Sequence, residues 1–180
     1  MVLMDDTALR KWCEARKITV KERILHLTES VPAYVVAEIP ESAQEQISFA
    51  GDLLALAGFD EAGQDMIWIT TWGLWSDWNR DLGEEIITRL RTSPGELPAS
   101  LESASAQIFS FAERKIAVAV ILHLMLFSWD GWLLSQSGEY LVQCSHDGLI
   151  WITCRDNNAQ SRILDRLVEW KPQTRPMLGR

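Results

Sequence analysis

YLVQCSHDGLIWITCR, residues 140–155, decides the fold class. Two runs rich in β-branched and aromatic residues, 140–146 and 149–155, flank Asp147 and Gly148. That pair is favoured at the centre of a two-residue hairpin turn, where both positions need positive φ. A β-hairpin is therefore predicted. With this turn Cys144 faces Trp151 and Val142 faces Thr153, while Leu141, Ile150, Ile152 and Cys154 point to the opposite side. Apolar residues fall on both faces, which places the hairpin in the middle of a sheet.

Downstream, Asn157 followed by Gln160 has the spacing of a helix start, and Ile163, Leu167 and Trp170 then recur on one face. Pro172 and Pro176 mark a tail, 172–180, expected to fray. Upstream, Phe109, Ala112, Ile116, Ala119 or Val120, His123 and Phe127 trace a helical face from Ser105 onward, and length favours a helix over a strand for Ile116 to Phe127. Its apolar run from Ile116 to Phe127 is too short to cross a bilayer core of about 30 Å. Residues 94–103, with two prolines and a glycine, form a connection that could join two structural halves. A faint echo between 43–50 and 105–112, and between the Trp75–Trp78 and Trp129–Trp132 elements, reads either as an internal duplication or as chance in a tryptophan-rich chain.

Nearer the N-terminus, Asp81 with Glu84 predicts a helix carrying Leu82, Ile86 and Leu90 inward. Residues 66–72 fit two periods. Trp68, Trp72, Trp75 and Trp78 recur as on a helix, but Ile67, Ile69, Thr70 and Thr71 are β-branched and Gly73 interrupts, which favours a strand with Met66, Trp68, Thr70 and Trp72 on one face. Ser42 and Glu45 form a capping box ahead of Ile47, Ala50, Leu54 and Ala57, with Gly58 as the stop. Strands are expected at 23–30 and 34–39, and a first helix at 7–16, capped by Asp6, presents Leu9, Trp12 and Cys13. The sum is a single α+β domain over 1–171: a largely antiparallel sheet, helices packed on at least one face, and a C-terminal hairpin followed by a helix. A chain of 180 residues can bury roughly 70% of its unfolded surface around one core.

The net charge of −8 is concentrated in the first hundred residues. Between Glu38 and Glu85 there are eleven carboxylates and one basic residue, Arg80. Such a field repels phosphate backbones, so nucleic acid is not the expected partner, and with the apolar run too short to span a bilayer neither is a membrane. Asp5 and Asp6 stand where a secretory signal needs basic residues and an apolar run, and three cysteines, Cys13, Cys144 and Cys154, form no paired framework. A cytoplasmic protein is expected.

Phosphate loops, dinucleotide-binding glycine patterns, nucleophile elbows and paired-histidine metal spacings are absent from the sequence, and neither a metal nor a cofactor is expected. Asp60, Glu61 and Asp65 lack the alternation of a calcium loop and read as a solvated turn. The one reactive pair on offer is Cys144 with His146, beside Asp147. Two positions apart on a strand, their side chains stand roughly 6–7 Å from each other, beyond a direct hydrogen bond. A cysteine packed on Trp151 and a turn histidine explain them as well. His26 and His123 read as partly buried and hydrogen-bonded.

Tryptophan is the feature above background, nine in 180 residues. Trp68, Trp72, Trp75, Trp78, Trp129 and Trp132 are candidates for contacting a ligand or partner, since indoles supply large contact areas with one polar handle. Two functional expectations follow. The first is a non-enzymatic binding protein that meets a protein partner, or itself as a homodimer, through an acidic surface and tryptophan-bearing edges. The second is a small-molecule or thiol-dependent pocket lined by Trp68, Trp72, Trp129 and Trp132, with Cys144 and His146 as its chemistry.

Overall fold

The computed structural model describes residues 1–28, 33–56, 64–73, 76–92 and 97–175. In chain order these form β1 (Val2–Met4), α1 (Asp6–Glu14), β2 (Ile18–Lys21), β3 (Ile24–Leu27), β4 (Ala33–Glu38), α2 (Ala43–Leu56), β5 (Gln64–Thr71) and α3 (Asp77–Leu90). There follow β6 (Ala106–Ser110), α4 (Arg114–Leu126), β7 (Asp130–Leu134), β8 (Tyr140–Ser145), β9 (Leu149–Cys154), α5 (Asn157–Arg166) and β10 (Gln173–Arg175). Eight strands make one antiparallel sheet in the order β1-β6-β5-β7-β8-β9-β4-β10, and β2 and β3 form a separate hairpin. The protein is an α+β domain, with the predicted hairpin near the centre of the sheet and α5 after it.

Alternation along the strands gives the sheet two working faces. Val35, Ile67, Leu133, Ile150 and Ile152 point to one side and pack with Phe49 and Leu53 of α2, Ile87 of α3, Val120 of α4 and Ile163 of α5. Met4, Met66, Trp68, Trp132, Leu134 and Leu141 point to the other, where Leu9 and Cys13 of α1, Ile18 and Leu25 cover them. Helices therefore cover one face, and α1 with the small β2–β3 hairpin covers part of the other.

The hairpin forms, but its register differs by one from the expected pairing. Ser145 pairs with Leu149, leaving a three-residue loop in which Gly148 (φ 76°) is left-handed and its N–H donates to Ser145 O at 3.1 Å. A turn over four residues followed by a left-handed glycine is the other common hairpin solution. Because the side-chain period is two, one residue of slip reassigns faces. Cys144 sits opposite Ile150 and Val142 opposite Ile152, all in the helix-covered core, while Trp151 and Thr153 lie on the other face opposite Gln143 and Leu141.

Further readings of the sequence are corrected or resolved. Residues 105–110 are not the start of a helix: β6 fills the space between β1 and β5, and the helix begins at Arg114 after a capping box of Ser110 and Glu113. The segment 43–50 is helical where 106–110 is extended, so the sequence echo is not a structural one. The helix expected at Asp81 starts a turn earlier, with Ser76 Oγ accepting from Asn79 N, and its inward face is Gly83 and Ile87 rather than Leu82 and Ile86. The ring of Trp129 lies directly on Gly83 and draws that side inward. Finally, the chain does not fray at 172, since Gln173–Arg175 pairs with β4.

Candidate functional site

A cleft of about 660 Å³ opens at the end of β5, on the face covered by α1 and the β2–β3 hairpin. Trp68 and Trp72 supply its aromatic lining, Arg10 and Arg23 its positive charge, and Asp6, Glu22 and Glu102 its negative charge. Ser103 and Ser105 add hydroxyls from the loop before β6.

Local geometry explains how these groups meet. β2 and β3 pair with Lys21 opposite Ile24, leaving the two-residue turn Glu22-Arg23. Both residues are left-handed, with φ of 50° and 64°. A right-handed hairpin twist demands that conformation, which asparagine and glycine adopt readily and glutamate and arginine do not. Each such residue costs on the order of 1 kcal/mol, and the surroundings hold it in place. The indole of Trp132 donates to Arg23 O at 3.2 Å, and the Arg23 guanidinium donates from Nη1 to Thr70 O at 2.5 Å. Thr70 is the extra residue of a β-bulge: β5 pairs with β7 through Ile69 and through Thr71, and Thr70 has no counterpart. The bulge turns a backbone carbonyl out of the ladder and toward a side chain at the cleft. The guanidinium then lies 5.9 Å from the centre of the Trp72 ring. Trp68 is oriented by a bond from its Nε1 to Ser105 Oγ at 3.0 Å, and Arg10 is tied to Val20 O at 3.1 Å and to Asp6 at 3.5 Å.

The six expected tryptophans divide among different environments. Trp68 and Trp132 are cross-strand neighbours on the cleft side; Trp132 supports the hairpin turn from beneath, and Trp72 is half-buried at the rim. Trp129 is on the other side of the sheet, fully buried among His123, Phe127 and Asn79, with its Nε1 donating to Asn79 Oδ1 at 2.9 Å. It does not line the cleft. Trp78 is 68% exposed on α3, and Trp75 lies outside the described residues.

Cys144 and His146 stand in different surroundings. The Cys144 thiol lies in the core beneath the helices, and burial, with Asp130 nearby, pushes it up to about 12. His146 stands at the hairpin loop, its Nδ1 2.8 Å from Asp130 Oδ1 and its Nε2 3.4 Å from Asp147. The hydrogen bond to Asp130 raises its pKa. Cys13 and Cys154 are also buried, pushed up to about 11 and about 12 by desolvation. Thiols held this far above neutral pH carry no thiolate to react. His123 is buried, which lowers its pKa to about 4, and its Nε2 has no hydrogen-bond partner among the described residues, whereas His26 is exposed.

Asp65 is buried on β5 and accepts from Gln136 N at 3.3 Å, whereas Asp60 and Glu61 lie outside the described residues. Among the described residues, no group of histidine, cysteine and carboxylate side chains is placed to hold a metal ion. No described helix is long and apolar enough to cross a membrane.

Arg10, Glu22, Arg23, Glu102 and Ser105 were not foreseen as site residues. A signal for the turn exists in ITVK-ER-ILHL, two short alternating runs around a charged pair. What faces that turn comes from β5, β7 and the 101–105 loop, far away in sequence.

No family model and no solved structure matches the chain. A 43-residue stretch is 44% identical to the envelope glycoprotein of caprine arthritis encephalitis virus (strain Cork), covering 24% of this chain. The chain spans about 4% of that glycoprotein's length.

Proposed function

We propose that this is a non-enzymatic cytoplasmic binding protein, and that the cleft beside β5 is where it holds its ligand. The observation that carries the reading is the strained Glu22-Arg23 turn, anchored at both backbone and side chain beside Trp68 and Trp72. A hairpin that served packing alone would gain stability from Asn-Gly at these positions, and strain retained at a concave, mixed polar and aromatic surface favours use of the side chains. Three buried, unpaired cysteines support a reducing compartment. The net charge of −8 supports partners other than nucleic acid or anionic membranes.

Titration of a fragment library into protein labelled with ¹⁵N at the indoles tests the cleft. Productive fragments should move the Trp68 and Trp72 indole signals together and leave those of Trp129 and Trp170 in place. A library that moves neither cleft signal, or that acts only elsewhere, would refute the reading.

A second reading, a protein partner or self-association, is favoured by α3. Trp78 and Ile86 are exposed, with half-buried Leu82 between them at a spacing of four, among Asp77, Asp81, Glu84 and Glu85. Sedimentation of the wild type and Trp78→Glu tests it: a dimer dissociated by the substitution supports self-association, and a monomer in both removes the homodimer.

A further inference from the structure

The cleft contains one positive group whose charge is not answered. Arg10 is paired with Asp6, but Arg23 makes no ion pair among the described residues, and its recorded side-chain bond is one N–H donated to a backbone carbonyl. A guanidinium has five N–H donors in a rigid fork, so most of this one remains available. It is also held in position. The backbone beneath it is fixed by Trp132, and the head by the Thr70 carbonyl that the bulge exposes. Beside it stands the half-buried ring of Trp72, a flat surface on which a second ring can stack.

The negative groups set limits on what can enter. Glu22 and Glu102 also line the cleft and make no ion pair among the described residues. Two carboxylates facing one free guanidinium repel a dianion, tolerate a single negative charge placed on Arg23, and attract an ammonium group elsewhere on the same molecule. A planar fork favours a carboxylate, which it can meet with two parallel hydrogen bonds.

From this geometry we infer that the cleft binds a planar ring bearing one carboxylate, monoanionic or zwitterionic, with the carboxylate on Arg23 and the ring against Trp72. The inference rests on the cleft being a ligand site, and it adds the ligand's chemical class. Phosphate monoesters, which carry close to two charges at neutral pH, are repelled by Glu22 and Glu102, and simple amines, which leave the Arg23 fork unanswered, bind more weakly than the carboxylate.

The test uses a matched phenyl series, phenylacetate, phenethylamine and phenyl phosphate, followed through the Trp68 and Trp72 indole signals and by calorimetry. Phenylacetate is expected to bind at least tenfold more tightly than the other two. Arg23→Gly suits the left-handed turn and should fold with a melting temperature no lower than wild type, yet bind phenylacetate at least tenfold more weakly. Arg23→Asn, which also accepts positive φ, serves if the glycine variant misfolds. Arg23→Lys should fall between, keeping the charge but losing the fork. Equal or tighter binding of phenethylamine or phenyl phosphate at the same indoles overturns the ligand class while leaving the cleft as a ligand site. Phenylacetate binding unchanged in Arg23→Gly overturns the role of the guanidinium. No response to any of the three overturns the inference, and the fragment library then decides separately whether the cleft binds anything.

Discussion

Two helical glycines provide a matched test of the packing. Gly51 lies in α2 and a Cβ built there meets nothing within 4 Å. Gly83 lies in α3, and the same atom would stand 2.4 Å from Trp129 Cζ2, 3.0 Å from Cη2 and 3.1 Å from Phe127 Cδ1. Alanine in place of a helical glycine gains about 0.8–1 kcal/mol from backbone propensity. Gly51→Ala should keep that gain. At Gly83 the ring must retreat by roughly 1 Å to restore a carbon contact of about 3.5 Å. Trp129 is fully buried and its Nε1 is bonded to Asn79, a residue of α3 itself, whose Nδ2 bonds to Phe127 O at 3.2 Å. The ring cannot move off the helix without stretching that pair. Overpacking costs about 1–3 kcal/mol and a weakened buried hydrogen bond about 1 kcal/mol more. Against the propensity gain, Gly83→Ala should be destabilised by about 1–3 kcal/mol. Urea unfolding measures both: a midpoint above wild type for Gly51→Ala and below it for Gly83→Ala, with unchanged slopes. In a Trp129→Leu background the cost of Gly83→Ala should vanish. A Gly83→Ala protein as stable as wild type would refute the placement of Trp129 against α3.

Further expectations concern pH, thiols and the hairpin. His123 has its pKa lowered by burial from 6.5 to about 4, so the unfolded chain takes up the proton first. Its neutral form stabilises the fold fully above pH 6.5, and that contribution falls by up to about 3 kcal/mol as pH drops toward 4. Melting curves of His123→Leu should lose this acid slope, and an unchanged slope would contradict the burial. His146 behaves oppositely: its raised pKa means the link to Asp130 stabilises at low pH and is lost as pH rises above 6.5, so His146→Asn should lower the melting temperature at pH 6 more than at pH 8.5. All three thiols should resist a disulfide probe at neutral pH and react on unfolding; a fast native reaction at Cys144 would restore the thiol-dependent pocket. Gly148→Ala, forced to φ 76° but with nothing within 4 Å of the new Cβ, should cost about 1 kcal/mol from backbone strain alone.

Features carried by neighbours in sequence were legible. Ser42 caps α2, its Oγ accepting from Glu45 N at 3.2 Å and donating to Glu45 Oε2 at 2.6 Å, which is the side-chain half of the expected box, and the β-branched run at 66–71 is strand β5. The central hairpin, α1, α4 and α5 follow the apolar periods, displaced by one to a few residues except for α4, where the first nine positions expected to be helical hold β6 and a short 3-10 turn. Periodicity reports which side of an element is apolar, because side chains repeat every 3.6 or two residues whatever lies opposite. The acidic first half and the tryptophan surplus are likewise composition alone.

Pairing and convergence needed the fold. Cys144 faces the core and Trp151 the other side because a three-residue loop set the register, and loops of two and three residues are both compatible with Asp147-Gly148. Ala106 to Ser110 is extended because a sheet position between β1 and β5 stood open to it, a demand set by strands about forty and about a hundred residues earlier in the chain. The cleft is the extreme case: its guanidinium groups come from α1 and one hairpin, its rings from β5 and the residue after it, its hydroxyls from the loop before β6, and its strained turn is held by an indole more than a hundred residues away. Residues so distant are joined by the burial of the sheet between them, and the hydrophobic effect that drives that burial is non-directional. The sequence thus settles which residues seek the interior, and only the packed sheet settles which polar groups finish side by side.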